Sequence, residues 1–177
     1  MRIQKTLVVL FACAIGIVSC SPSNENTIQR KPENEALVKK YLDALTTGDT
    51  SAIEGFLADN YKSYGPKIID SANREKAVAE AKINWRSHWQ SVDYNRYTML
   101  SATLPEGPNA GDWVLDWGMV TIHSKDKTPS FTVQWHGAFR VKDGKITQEV
   151  SFFNEADIFR QLGYTFVPPK DSTETAK

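Results

Sequence analysis

The sequence predicts an α+β domain in which helices cover one face of a curved antiparallel sheet. Three observations carry this. Apolar residues recur at helical spacing between residues 34 and 91. From Val92 onward the apolar period shortens to two, which is the alternation of strands with one face buried. Asp143-Gly144 then separates two alternating runs and accepts the positive φ angles of a type I′ turn, so Phe131 to Phe153 reads as a β-hairpin.

In chain order, Asn34 to Thr47 places Leu37, Tyr41, Leu42 and Leu45 on one helical face, and Gly48 ends the helix. Asp49 or Thr50 caps a second short helix with Ile53, Phe56 and Leu57 on a common side. Asn60 to Pro66 is a brief extended piece closed by a Gly-Pro breaker. Ser71 to Ser91 reads as the longest helix, with a buried stripe of Ala77, Val78, Ala81, Trp85 and Trp89. Tyr94 to Leu104, Trp113 to His123 and the hairpin make about four consecutive strands. A last helix from about Glu155 carries Ile158, Phe159 and Leu162 on one side and stops at Gly163.

Strict alternation from the Asp143-Gly144 turn sets an expected register. Val133, Trp135, Gly137, Phe139 and Val141 then share a face with Ile146, Gln148, Val150, Phe152 and Asn154. An amide on that mostly apolar face needs a partner, because leaving it unsatisfied costs about 1–3 kcal/mol. Asn154 is therefore either a cap for the following helix or a polar group pointing into a cavity.

Twenty-one basic residues balance twenty-one acidic ones, with no basic run and no acidic block. Nothing supplies the phosphate-neutralising surface that nucleic acid binding needs. The chain has two cysteines, Cys13 and Cys20. Arg2 and Lys5 open a segment whose apolar run, Leu7 to Val18, is short for a membrane span and leads into Ile17-Val18-Ser19-Cys20. This resembles a bacterial lipoprotein signal peptide over residues 1–19, which implies a mature chain starting at a lipidated Cys20. An ordinary secretory signal is the plain alternative. The resemblance implies attachment to a membrane of the cell envelope through acyl chains, and Ser21 shows no inner-membrane retention aspartate, which points to the outer membrane. Loss of Cys13 with the signal leaves the mature domain no disulfide and no cysteine metal site. Residues 20–33 read as a flexible tether, 34–167 as one domain, and 168–177 as a polar, proline-led tail.

Three stretches, Val38 to Tyr64, Phe139 to Ile146 (FRVKDGKI) and Phe152 to Gly163 (FFNEADIFRQLG), resemble the SnoaL-like branch of the nuclear transport factor 2-like superfamily. The resemblance implies a cone-shaped α+β fold with a pocket between helices and sheet. It also implies a range of functions, from isomerases, cyclases and dehydratases to non-catalytic binding domains. Cyclase-type members use an aspartate at the end of the last strand as general acid/base. Alignment on Gln161-Leu162-Gly163 puts Asn154 at that position, and an amide exchanges no proton near neutral pH. Tyr64 stands where a histidine often follows the second helix.

Asp116 and His136 are the remaining acid/base pair, since their strands should be neighbours. The alternation places His136 on the face opposite Trp135 unless a bulge intervenes. No histidine or acidic spacing supports a metal site, and no motif calls for a cofactor. The aromatic load is heavy. Its plain use is core packing, but a hollow lined by Tyr64, Trp89, Trp117, Trp135 and Phe152, with Gln148 and Asn154 as polar points, would suit a small apolar or aromatic molecule. The outer sheet face, with His136, Glu149, Ser151 and Phe153, would serve a homodimer. The sequence thus leads to a lipid-anchored ligand-binding domain, with an enzyme using Asp116 and His136, or a dimeric interaction module, as alternatives.

Overall fold

Helix α1 (Pro32–Thr47) opens on a proline, whose missing N–H costs nothing in a first turn, and ends at Gly48 with φ 81°, a left-handed conformation that glycine adopts without strain. Asp49 caps α2 (Thr50–Phe56) by accepting a hydrogen bond from the Ala52 N–H, and β1 (Leu57–Tyr64) follows directly. The computed structural model describes residues 29–126 and 128–167. The expected signal segment, Cys20, the tether as far as residue 28, and the tail from residue 168 lie outside the described residues.

The third helix is shorter than its apolar stripe predicts. Ser71–Asn73 pairs with β1 as β2, and Asn73 accepts from the Lys76 N–H at 2.9 Å, so α3 starts at Arg74 and ends at Ser87. Lys125 closes its C-terminal end by donating to the carbonyls of Trp85 and Arg86 at 2.6 and 2.9 Å. Trp89 consequently belongs to the long β3 (Trp89–Leu104) and not to the helix. Strands β4 (Gly111–Ser124), β5 (Phe131–Lys142) and β6 (Lys145–Phe153) and the short α4 (Glu155–Gln161) complete the domain.

Among the described residues six strands lie in the order β2-β1-β6-β5-β4-β3. β1 runs parallel to β6 while the other pairs are antiparallel, so the sheet is mixed where the sequence leads one to expect antiparallel pairing throughout. The α+β cone architecture itself is as expected. Val38, Tyr41 and Leu42 of α1, Ile53, Leu57 and Tyr61 pack against Val114, Phe139, Val141 and Ile146 of the sheet to close one end of the cone. The aromatic ring of Tyr41 meets Phe139 edge-on at 6.0 Å. At the other end, the Gln161 amide bonds both the N–H and the C=O of Thr132, which fastens α4 to β5.

The hairpin turn forms where Asp143-Gly144 places it, with φ 51° and 69°, and Val141 faces Ile146. One step further the register changes. Arg140 pairs with Gln148, so Thr147 is an extra residue in β6, a β-bulge whose hydroxyl donates to the Arg140 carbonyl at 3.2 Å. Beyond it Phe139 faces Glu149, Gly137 faces Ser151, and Trp135 faces Phe153. A one-residue slip turns every later side chain to the other face. Glu149, Ser151 and Phe153 therefore point inward, and Gln148, Val150, Phe152 and Asn154 point outward, the reverse of strict alternation.

Candidate functional site

The space between helices and sheet is a cavity of about 510 Å³. Tyr41, Leu42 and Leu45 of α1 and Ala77, Ala81 and Asn84 of α3 form one wall, and Val92, Tyr94, Val120, Ile122, Val133 and Trp135 of the sheet form the other. Tyr61, Ser63 and Tyr64 of β1 and Glu149, Ser151 and Phe153 of β6 make the floor, with Ile158 of α4 at the side. Two glycines allow the sheet wall to be aromatic. A Cβ on Gly118 would lie 2.2 Å from the Tyr94 ring, and one on Gly137 would lie 2.3 Å from the Trp135 ring. The two rings thus come close over the glycine backbone and meet each other edge to face, at 89° with centroids 5.8 Å apart.

The polar centre of this cavity is Glu149. Its Oε2 accepts hydrogen bonds from the Tyr41 hydroxyl at 2.9 Å and the Tyr61 hydroxyl at 2.8 Å. Its other oxygen, Oε1, takes no hydrogen bond from the described residues. Burial raises the carboxyl above its ordinary range, and the two hydroxyls pull it down by less. Both tyrosines are raised in turn, first by their own burial and then by the neighbouring carboxylate charge. Glu149 is thus an acid held in place by donors on one side and open to the hollow on the other.

A second carboxyl lies under the aromatic wall. Asp116 is 0% exposed, accepts from the Tyr94 hydroxyl, and is bridged by Arg96 Nε at 2.9 Å. Burial raises its pKa, against the pull of Tyr94, Arg96 and His136. Asp116 does not line the cavity, and its partner from the sequence reading is on the other side of the sheet. His136 faces outward, paired with Trp117 and stacked on its ring at 4.8 Å. Asp116 instead faces Gly137, so the two groups are separated by the sheet and do not form an acid/base pair. Burial lowers the His136 pKa, and its Nε2 has no partner among the described residues.

Of the residues expected around the ligand, Tyr64, Trp89 and Trp135 line the cavity. Trp117, Phe152 and Asn154 instead border a shallow depression on the outer face with His136, and Gln148 sits in a surface groove beside Arg140. The physical reason is the bulge at Thr147 for Gln148, Phe152 and Asn154, and the Trp117–His136 register for Trp117. Asn154 is the helix cap of its two readings, its Oδ1 accepting from the Asp157 N–H at 3.1 Å. Glu149, Ser151 and Phe153, expected on the outer face, are the residues the sequence reading misses. The signal available for them was the pair Phe152-Phe153, which fits either phase of alternation equally well. No three of His, Cys, Asp and Glu converge on a metal position among the described residues.

The model of one protein family, described as a SnoaL-like domain, matches residues 38–149. No curated protein sequence matches the chain. Among solved structures, an LEH-like epoxide hydrolase from M. tuberculosis is 17% identical with a TM-score of 0.58, covering 74% of this chain and 90% of that one. A protein with a ketosteroid isomerase-like fold from Catenulispora acidiphila, in complex with trimethylamine, is 17% identical with a TM-score of 0.59 over 75% of this chain and 97% of that one. An NTF2-like protein from Burkholderia xenovorans is 18% identical with a TM-score of 0.57 over 74% of this chain and 96% of that one. At such identities the likeness is one of fold.

The raised carboxyl gives a pH signature. A carboxyl whose folded pKa lies above its unfolded value of 4.5 stabilises the fold fully below 4.5, and that contribution is lost as pH rises through the folded pKa. Asp116 contributes with the same sign, whereas Glu35 and Asp112, lowered by their ion pairs, contribute with the opposite one. The comparison is therefore between wild type and Glu149→Gln, in which the amide oxygen still accepts from both tyrosines. Urea unfolding from pH 4 to pH 8 should show the variant gaining stability relative to wild type as pH rises. Parallel pH profiles would mean that Glu149 ionises normally.

Proposed function

Because the chain belongs to the SnoaL-like domain family, whose model spans residues 38–149, we propose that it binds a small, largely apolar or aromatic molecule in the hollow between helices and sheet. The observation that carries this reading is the cavity of about 510 Å³, walled by aromatic and aliphatic side chains and furnished with the Glu149 carboxyl at its closed end. Its dimensions and composition are those of a site that surrounds a ligand and orients it by a few polar contacts. The binding reading also keeps the family's strand-end aspartate chemistry out of this chain, since Asn154 at that position spends its side chain on capping α4. In the same proposal the domain is carried on lipidated Cys20 in the bacterial cell envelope, on the outer membrane. What supports this is the segment from Arg2 to Cys20 with its aliphatic-small-cysteine ending.

A second reading is favoured by one feature of Glu149. A half-buried carboxyl with raised pKa and one oxygen open to a cavity is placed to take or give a proton. In that reading the domain is an isomerase-, cyclase- or dehydratase-type enzyme with Glu149 in the role assigned to Asp116 and His136 by the sequence.

Three outcomes follow. Apolar and aromatic molecules should shift the emission of Trp89 and Trp135 on binding, and Ser151→Trp, which fills the floor, should weaken that binding at least about tenfold with unchanged circular dichroism. If the blocked variant binds as well as wild type, the ligand lies elsewhere. Mass spectrometry of the mature chain should find an acylated Cys20 at its start, and Cys20→Ala should release the protein from membranes. If the wild type turns over members of a ketone and epoxide panel, Glu149→Gln should slow that turnover about 10²-fold or more; no turnover across the panel leaves the binding reading alone.

A further inference from the structure

The charge pattern of the hollow narrows the class of molecule that it admits. Eight of its twenty-four lining residues are aromatic, two are the acids Glu149 and Glu80, and none of those described is Lys, Arg or His. An anion entering this space would find two carboxyls and no cation. A neutral apolar molecule would fill the volume but leave Glu149 Oε1 without a partner. An organic cation meets both features at once, since its charge pairs with the carboxylate and its apolar substituents lie against aromatic rings that themselves attract positive charge. We propose that the hollow selects a small organic cation, an ammonium group borne on an apolar or aromatic body, and that Glu149 is its counter-ion. This rests on reading the hollow as the binding site and adds the charge of the ligand to it.

The groups around Glu149 fit the role. Tyr41 from α1 and Tyr61 from β1 both donate to Oε2, which leaves Oε1 for the ligand. Ser63 stands beside Tyr61 on β1, and across the sheet the facing residue is Phe139, which carries no charge. Glu80 belongs to the α3 side, where it is exposed and 3.7 Å from Lys76, so solvent screens it and Glu149 remains the enclosed charge. Tyrosine hydroxyls that donate to the carboxylate favour its ionised form, whereas burial opposes it; a cation in the hollow adds to the first effect and offsets the second. Binding therefore pulls Glu149 toward the carboxylate and, at a pH where the carboxyl is protonated, expels its proton.

The test is titration calorimetry of the full-length mature protein with benzyltrimethylammonium, whose charge does not change with pH, and with neopentylbenzene, its uncharged isostere. The cation should bind at least about tenfold tighter than the isostere at pH 8. That preference should shrink as pH falls through the Glu149 pKa, and measurement in two buffers of different ionisation enthalpy should show proton release. Glu149→Gln should lose the preference while still binding the isostere. Wild-type proton release keeps the proposal testable should that variant fold poorly. Equal affinity for the two probes at every pH, or cation binding without proton release in the pH range where the preference is falling, overturns the proposal and leaves the hollow a binding site. Failure of both probes, and of every molecule in the apolar panel, overturns the binding reading as well.

Discussion

One extra residue in β6 determines the chemistry of this domain. The Asp143-Gly144 turn fixes Val141 opposite Ile146, and without the bulge at Thr147 the next inward residue would be Gln148. With it, the inward residue is Glu149, and an acid is placed where its neighbours are Tyr41, Tyr61 and Phe139. The register change is locked from both sides, since β1 also shifts its pairing with β6 between Leu57 and Lys62. Enclosing a carboxyl in this way carries a desolvation penalty of several kcal/mol if it stays ionised. Two hydroxyl donors, each contributing about 1.5–3 kcal/mol when the acceptor is charged, offset only part of it. The balance leaves a group that ionises late, which is the condition in which a nearby positive charge or a proton acceptor has most effect on it.

Asp116 gives the control within the same molecule. It also lies on the inner face and also has a raised pKa, and it is the more deeply buried of the two. Its oxygens are nevertheless taken up by Tyr94 and by Arg96, with which it forms an ion pair under the aromatic wall. Arg96 in turn lies 4.8 Å from the centre of the Tyr94 ring. Asp116 thus positions the ring that faces the cavity and has nothing left to offer a ligand. Two carboxyls that burial raises reach different ends because one has a guanidinium beside it and the other has only hydroxyls. The first supports the wall, and the second remains free to act.

The elements were legible wherever a local rule decided them. The Asp143-Gly144 turn, the cap at Asp49, the stop at Gly48 and the period-two runs of β4 and β5 each follow from the residues present. What escaped depends on pairing between distant strands. Ser71–Asn73 is β rather than α because β1 is there to pair with it, and Trp89 is in a strand because Ser124 faces it. The site escaped for the same reason, since nothing local in Lys145 to Phe153 marks Thr147 as the extra residue. Tyr41 and Tyr61 read as apolar positions of a helix and a strand, and their hydroxyls acquire a purpose only when β6 brings Glu149 to them across 108 and 88 residues of sequence.

In the binding reading proposed above, the position of Glu149 along β6 also sets how the ligand lies. Asn154, at the strand end, is five residues beyond Glu149, a separation of about 16 Å along an extended chain. An acid at the strand end would stand beside α4 on the outer face, where Asn154 borders the depression with His136. Glu149 stands instead at the closed end, against the packed residues Tyr41, Tyr61 and Phe139. A molecule that uses it must therefore enter with its polar or charged end first and leave its apolar body among Val92, Tyr94, Trp135 and Phe153. Recognition at the closed end limits the length of the ligand more strictly than its width, because only a body reaching from the aromatic wall to the carboxyl fills both. In the binding reading proposed above, the depth of the carboxyl, more than the number of aromatic side chains, sets the selectivity of the hollow.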